Sequence, residues 1–350
     1  IKAGIVPASQ REQIVDTLFI DIAKQESGLV LNKTLALDMI AKSAENGWNR
    51  PIYYAVTVPN SYHLGLTPYL QQTGMAYQVT PVKAGINGDN GINTEKMYDV
   101  VMNKYLWGGL DQGKDLYLDE TVRRMVSTTR GTMISLAQEL FLEGFAQLAV
   151  DSTNQAAGKE QFEKARKVLN LMEEKLPVSV MPYDNYSSID VAELYIKLWE
   201  KTGNADDKAR AMTLANDGLT RYSKFIPYLL NLNNRHLNSI AYSEKYVANV
   251  AIPQFITLYQ QAGGDIDKKL NELGVTIDDI LALRLRFLQL DNPLIEIERF
   301  VPYVVEYYGM LNYKPENLDK HIIDFFSKRG IDASRLREAF DMAYSEKGSK

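Results

Sequence analysis

The side chains that could do chemistry are few and widely spaced in this chain. The three histidines, His63, His236 and His321, are too far apart in sequence for two of them to face one metal ion from neighbouring turns of a helix. We therefore expect each histidine to be a surface side chain or a hydrogen-bonded one. The chain has no cysteine, which excludes disulfides, thiolate nucleophiles and cysteine-ligated zinc. No cofactor and no metal site is predicted.

Residues 87–95, Asn-Gly-Asp-Asn-Gly-Ile-Asn-Thr-Glu, are rich in the oxygen ligands that calcium prefers. They lack the ligand order of an EF-hand, and Asn and Gly are also the residues that turns require. The sequence contains neither the glycine-rich loops that hold phosphates nor the Gly-x-Ser-x-Gly elbow of serine hydrolases. The segment is therefore predicted to be a surface loop, and no catalytic residues are predicted.

The best candidates for a binding site are an arginine and the tyrosines that follow it. Arg50 begins a stretch, 51–82, that contains no Asp, Glu, Lys or Arg. An arginine at the rim of an uncharged sheet can bind a carboxylate or a phosphate, or it can pair with Asp21 or Glu45 and stabilise the fold. Aromatic rings with a few polar groups can hold a sugar, but they also pack half-buried sheets. The predicted binding residues are Arg50, Tyr53, Tyr54, Tyr62 and Tyr77.

These candidates need a sheet to position them. The uncharged stretch is interrupted by prolines, so it is not a membrane span. Apolar runs rich in strand-forming residues alternate with helical patterns: the predicted strands are 17–23, 50–58 and 75–82, and the predicted helices are 33–45 and 65–73. This order predicts a three-stranded parallel α/β sheet with right-handed crossovers. The loop 83–93 predicts a boundary, so that 1–92 form a small α/β domain.

The remainder, 93–350, is predicted to be an α-helical domain of antiparallel hairpins. The predicted helices are 94–105, 120–149, 159–175, 188–202, 205–222, 239–261, 266–273, 277–289, 293–311, 316–329 and 332–346. Ala165, Leu169 and Met172 match the spacing of the second helix of a tetratricopeptide repeat, although the period along the chain is irregular. We expect a degenerate tetratricopeptide-like solenoid, with ordinary helical packing as the alternative. The predicted fold class is α+β, mostly α.

Two further expectations follow from composition and size. The net charge is −5, with 39 basic and 44 acidic residues mixed along the chain, so nucleic acid is not an expected partner. Three strands with about two short helices cannot cover both faces of a sheet. We therefore expect the helices at 94–105 and 120–150 to pack on the sheet, with Tyr53, Tyr54 and Tyr77 at the junction.

Three sequence blocks carry a family resemblance. They are Trp-Asn-Arg-Pro-Ile-Tyr-Tyr-Ala from Trp48, Leu-Gly-Leu-Thr-Pro-Tyr-Leu-Gln from Leu64 and Gly-Met-Ala-Tyr-Gln-Val-Thr-Pro from Gly74. Together they resemble the C-terminal soluble region of Bacteroidetes multi-pass membrane proteins similar to protein O-mannosyltransferases, which are GT-C-like glycosyltransferases. The resemblance covers residues from about Val15 to Pro177. In that family the catalytic acidic residue belongs to the membrane-embedded part, so no catalytic residue is transferred to this chain.

The resemblance implies a non-catalytic accessory domain on the periplasmic side of the inner membrane. Its partners would be the membrane part of the parent protein and acceptor proteins. Two alternatives stay open. One is a free-standing soluble enzyme with a site at the carboxyl ends of the strands, where open α/β sheets bind ligands. The other is a tetratricopeptide-like scaffold for protein interactions.

Overall fold

The computed structural model describes residues 1–20, 30–83, 91–112, 116–150, 155–291, 300–311 and 317–329. The chain is mainly helical with one small sheet, as the sequence predicts. It divides into two compact units, Ile1–Pro182 and Tyr183–Lys350. The predicted boundary after residue 92 falls inside the first unit, and a separate domain at 1–92 stays a prediction. Asp21, the loop 84–90 and the predicted helix 332–346 lie outside the described residues.

The first unit begins with a 3-10 helix, Ala8–Gln13, and the helix α1, Leu31–Glu45. Ile5 and Val6 are buried against Val82, which anchors the start of the chain to the sheet. Helix α1 confirms the predicted helix 33–45, and Asn46 is its C-cap.

The sheet has four strands, β1 Tyr53–Ala55, β2 Leu70–Gln72, β3 Ala76–Val79 and β4 Gly91–Ile92. Their order is β1-β3-β2-β4. The pairs β1–β3 and β2–β3 are antiparallel, and only β2–β4 is parallel. The uncharged stretch therefore supplies both central strands, β2 and β3. All three residues of β2 and the last two of β3 are buried, so the absence of charge there has a structural reason.

The predicted parallel topology is wrong because the segment 65–73 is not a helix. It contains a short 3-10 turn, Thr67–Tyr69, followed directly by β2. Only residues 73–75 then separate β2 from β3, and a connection this short can join only antiparallel strands. Gly74 makes the turn possible with a φ of 124°. A Cβ at Gly74 would also lie 3.2 Å from the Val100 side chain.

Two other predicted strands are shorter than expected or missing. Residues 17–20 of the predicted strand 17–23 form no strand, and 21–23 lie outside the described residues. The first paired residue of this region is Ile14, which forms an isolated bridge with Val82. Strand β1 keeps only three residues of the predicted 50–58. Tyr53 on β1 is 43% exposed, so this strand is not covered on both faces.

Three helices complete the first unit, α2 Thr94–Asn103, α3 Glu120–Val150 and α4 Gln155–Lys175. They confirm the predicted helices 94–105, 120–149 and 159–175, and α3 runs through Gly131 without a break. The sheet contacts α2 through Lys96 and α3 through Thr132. These hydrogen bonds join α2 and α3 to the sheet, whereas packing of both helices over its faces stays a prediction. Of the tyrosines expected at the junction, Tyr53 contacts α2 through Lys96, and Tyr54 and Tyr77 contact His63 instead.

Helices α3 and α4 cross closely at two glycines. A Cβ on Gly144 would lie 2.8 Å from the Gly158 carbonyl oxygen, and a Cβ on Gly158 would lie 2.9 Å from the Gly144 carbonyl oxygen. The buried Arg130 on α3 donates hydrogen bonds to the carbonyls of Leu176, Met181 and Pro182. This arginine holds the segment that follows α4 against α3.

The second unit is helical throughout its described part. Its helices are α5 Asn185–Thr202, α6 Ala205–Tyr222, α7 Phe225–Asn231, α8 Asn234–Ser239, α9 Tyr242–Tyr246, α10 Ile252–Gln261, α11 Ile266–Leu273, α12 Ile277–Asp291, α13 Val301–Met310 and α14 Leu318–Ser327. Gly203, with a φ of 71°, ends α5 before the cap of α6. A π-helical turn, Val247–Ala251, lies between α9 and α10 in one uninterrupted helical run, 242–261, which agrees with the predicted helix 239–261 except at its first residues.

The last helices of the second unit are joined by a polar contact. Asp278 accepts hydrogen bonds from the Tyr308 hydroxyl at 2.6 Å and lies 3.0 Å from the His321 ring nitrogen Nε2. The prediction that His321 is a hydrogen-bonded side chain is confirmed. The stacking of the hairpins as a solenoid stays a prediction.

Candidate functional site

The first unit contains a cleft of about 680 Å³. It lies where the end of β4 and the start of α2 meet α3, α4 and the 3-10 helix near the start of the chain. The lining is mostly polar or charged, and it consists of Pro7, Gln10, Ile92, Asn93, Thr94, Glu95, Tyr98, Leu140, Glu143, Ala146, Gln147, Gln161 and Lys164. We refer to it as the polar cleft.

Hydrogen bonds between side chains fix one wall of the polar cleft. The Thr94 hydroxyl donates to Glu143 over 2.7 Å and so joins the start of α2 to α3. Asn93 donates to Gln71 of β2 over 3.4 Å, and Gln71 donates to Gln10 over 3.0 Å. The Asn93 side chain also caps α2, because it accepts a bond from the Lys96 backbone amide. The sheet, α2 and the start of the chain are thus held in one arrangement around the cleft.

Other residues of the cleft carry charges and amides. Glu139, one turn before Glu143 on α3, does not line the cleft; burial raises its pKa, and the Glu143 carboxylate raises it further. The Lys164 ammonium lies 2.8 Å from Glu160, so its charge is already paired. The side-chain oxygens of Gln147 and Gln161 are buried and accept no hydrogen bond from any described residue. A buried acceptor without a donor costs about 1–3 kcal/mol, so a polar ligand that reorients these amides would recover part of that cost.

Arg50, the first predicted binding residue, is exposed. Its backbone carbonyl accepts a hydrogen bond from the Ser43 hydroxyl over 2.5 Å. Within the described ranges its guanidinium forms no ion pair, so the predicted pairing with Glu45 is wrong, and Asp21 lies outside those ranges. Arg50 is not one of the residues that line the polar cleft.

Tyr53 and Tyr62 are also exposed, and each has a lysine near its ring. The Lys96 ammonium lies 5.6 Å from the centre of the Tyr53 ring and donates to its hydroxyl over 3.2 Å. The Lys33 ammonium lies 5.2 Å from the centre of the Tyr62 ring. Contacts of this kind contribute about 0.5–1 kcal/mol at exposed sites, and they account for both rings without a ligand.

Tyr54 and Tyr77 lie opposite each other in the β1–β3 pair, and both contact His63. Their ring centres are 5.2 Å and 5.8 Å from that of His63, in edge-to-face orientation. His63 is only 2% exposed, and neither ring nitrogen forms a hydrogen bond with a described residue. The prediction of a surface or hydrogen-bonded side chain is therefore wrong for His63. The exposed His236 fits that prediction.

The environment of this aromatic cluster keeps all three groups neutral. Burial lowers the pKa of His63, and the nearby Val58 backbone offsets part of this effect without reaching hydrogen-bond geometry. Burial raises the pKa of both Tyr54 and Tyr77. The Tyr54 hydroxyl is buried and has no described partner. Because these groups fill the space between β1 and the turn before β2, their role in the fold is packing, and ligand binding there stays a prediction.

The structure thus separates the predicted site residues from the cleft. The residues that line the cleft come from four distant parts of the sequence, and none of them was predicted as a site residue. A usable signal was present in α3, where Glu143 and Gln147 are one helical turn apart among the buried apolar positions Leu136, Leu140 and Phe141. Polar side chains that interrupt an apolar helical face in this way often mark a lined cavity.

Comparison with known families gives one match. Residues 1–96 match the family model described as TMEM260-associated domain 2. The matched segment contains the sheet and the first turn of α2, so it supplies part of the polar cleft, while α3 and α4 supply the rest. No curated protein and no solved structure matches the chain. None of the helices in the described part of the chain has both the length and the apolar content needed to cross a membrane.

Proposed function

We propose that this chain is a non-catalytic accessory region of a membrane-bound protein glycosyltransferase and that it works on the periplasmic side of the membrane. The match of residues 1–96 to TMEM260-associated domain 2 is the observation that carries the proposal. The resemblance of the blocks at Trp48, Leu64 and Gly74 to membrane proteins similar to protein O-mannosyltransferases points in the same direction.

The polar cleft is the surface best suited to docking in this role. Of its two acids, Glu143 accepts a hydrogen bond from Thr94 and Glu95 lies in the first turn of α2, while its lysine, Lys164, is paired with Glu160. Side chains that are hydrogen-bonded or ion-paired with one another keep the cleft in a fixed conformation to which a partner can bind. A general acid or base instead needs a position from which it can exchange a proton with a substrate. The partner would be a polypeptide, either an acceptor protein or another part of the parent protein.

Two assays test the proposal. The purified chain, incubated with lipid-linked sugar and acceptor peptides, should transfer and hydrolyse nothing, and turnover by the chain would overturn its non-catalytic role. In the native gene, Glu143→Lys should lower acceptor glycosylation while Glu120→Lys, an exposed position on the same helix, should leave it unchanged. Equal glycosylation in both variants would remove the cleft from the proposed role.

A tetratricopeptide-like scaffold without a link to sugars is the second candidate. The helical hairpins α3–α4 and α5–α6 favour it, since repeats of such hairpins present surfaces for other proteins. The two candidate functions predict different coding sequence around this chain in its gene. Coding sequence for a series of membrane helices in the same reading frame supports the accessory region, and its absence supports the scaffold.

A further inference from the structure

Three tyrosines and an aspartate come together on the surface of the second unit. Tyr186 and Asp190 are one turn apart on α5, and Tyr242 and Tyr246 are one turn apart on α9. The ring centres of Tyr186 and Tyr246 are 4.3 Å apart. Tyr186 is 47% exposed and Tyr242 is 78% exposed. We call Tyr186, Tyr242 and Tyr246 the tyrosine platform.

The platform lies in a negative environment. Burial raises the pKa of Asp190, the carboxylates of Glu193 and Asp184 raise it further, and the Lys197 ammonium offsets part of this effect. Burial likewise raises the pKa of Tyr246, with further contributions from Tyr186, Asp190 and Tyr242. The geometry of the platform is given by the contact between the rings of Tyr186 and Tyr246 and by the one-turn spacings that place Asp190 beside Tyr186 and Tyr242 beside Tyr246.

The cations close to the platform are already engaged. The Lys197 ammonium lies 2.6 Å from Glu193. Lys245, between the two tyrosines of α9, directs its ammonium to the Phe287 ring, 6.0 Å from the ring centre. Arg221 donates to the Tyr183 backbone carbonyl over 2.8 Å. Asp184 and Asp190 form no ion pair with any residue in the described part of the chain.

We propose that the tyrosine platform and Asp190 bind the cationic side chain, arginine or lysine, of a polypeptide partner. Aromatic faces attract such cations, and a guanidinium can stack on one ring while it donates to a carboxylate. A choline headgroup has the same attraction for the rings, but its phosphate would lie among Asp184, Asp190 and Glu193. Like charges at this distance repel, and the carboxylates therefore favour a basic peptide. The inference goes beyond the accessory role, since it holds whether or not the chain works beside a glycosyltransferase.

A short peptide with one arginine between glycines tests the proposal on the full chain. Binding is followed through the ring resonances of labelled tyrosines in NMR titrations. The same peptide with citrulline, a neutral group of the same shape, should bind more weakly. Tyr242→Leu should weaken binding of the arginine peptide about two- to five-fold, because an exposed cation–π contact is worth that factor. Tyr242→Phe keeps the ring and should keep the affinity.

Asp190→Asn removes the carboxylate charge and should also weaken binding, without changing the affinity for the citrulline peptide. The matched control is Tyr228→Leu, because Tyr228 is 58% exposed on α7 of the same unit. Both substituted tyrosines are exposed, so the fold should persist in each variant. Equal binding of the two peptides, equal losses for Tyr228→Leu and Tyr242→Leu, or binding only to phosphatidylcholine vesicles would each overturn the proposal. Absence of saturable binding at millimolar peptide would overturn it as well.

Discussion

Gly144 and Gly158 determine how closely α3 and α4 approach, and Gly144→Ala tests that crossing. The new Cβ would lie 2.8 Å from the Gly158 carbonyl oxygen and 2.8 Å from Cε1 of Phe162. Ordinary Cβ contacts begin at 3.4 Å, so the backbone or the ring must move by the difference, roughly 0.6 Å. Phe162 is fully buried, so its ring cannot move into solvent.

The magnitude follows from two opposing effects. Alanine in place of glycine inside a helix stabilises by about 1 kcal/mol. Overpacking a rigid site costs typically 1–3 kcal/mol, and a clash with backbone and a fully buried ring belongs at the upper end. We therefore expect Gly144→Ala to lower the free energy of unfolding by about 2 kcal/mol, the difference between these effects.

Gly131 provides the matched control in the same helix. It is exposed, and a Cβ there would meet nothing within 4 Å. Gly131→Ala should therefore raise the free energy of unfolding by about 1 kcal/mol, so the two variants should differ by about 3 kcal/mol. Urea unfolding followed by circular dichroism, with the slopes compared between variants, measures this difference. Equal stability of the two variants would refute the close crossing.

Three further predictions concern buried polar groups. Because burial lowers the pKa of His63 from 6.5, the unfolded chain binds more protons at acid pH, and stability should fall by up to about 1.4 kcal/mol per pH unit below about pH 6.5. Thermal unfolding between pH 7.5 and 5.5 should show a smaller slope for His63→Phe than for the exposed control His236→Gln, and equal slopes would contradict the assignment. Arg130→Met removes the donor from three backbone carbonyls and should lower the free energy of unfolding by about 3 kcal/mol. The control Arg124→Met, at an exposed position, should change it by no more than about 0.5 kcal/mol in denaturant unfolding. A similar loss in both variants would be inconsistent with the carbonyl contacts of Arg130. Tyr54→Phe removes a buried hydroxyl without a partner and should raise the free energy of unfolding by about 1 kcal/mol, while a loss of stability would reveal a partner for that hydroxyl.

The helices were the most predictable part of the fold because their signals are local. Asp184, Gly203 and Asn204 mark the ends of α5 and α6 by side-chain capping and a left-handed backbone, and the sequence shows such signals directly. The region 225–251 was less predictable. It breaks into three short helices and a π turn, since tertiary packing decides where such short helices end.

The sheet and the cleft depend on contacts that the sequence does not show. Strands β2 and β3 are too short for a clear period, and β2 lies within the segment 65–73 that was predicted as a helix. The contact between Thr94 and Glu143 joins residues 49 positions apart, and no local pattern indicates such a pairing. His63 was predicted to be a surface or hydrogen-bonded side chain because no other histidine lies near it in sequence. The fold instead places it between the tyrosines of two strands.

The π turn at Val247–Ala251 has a geometric consequence for the surface of the second unit. A π turn contains one residue more than an α-helical turn, and it offsets the helix before it from the helix after it. Deleting one residue from this turn would rotate α9 by roughly 100° and shift it by roughly 1.5 Å relative to α10. Tyr242 and Tyr246 would then face away from Tyr186, while the buried side of α10 would be kept. A single codon in this turn thus determines whether the three rings share one surface.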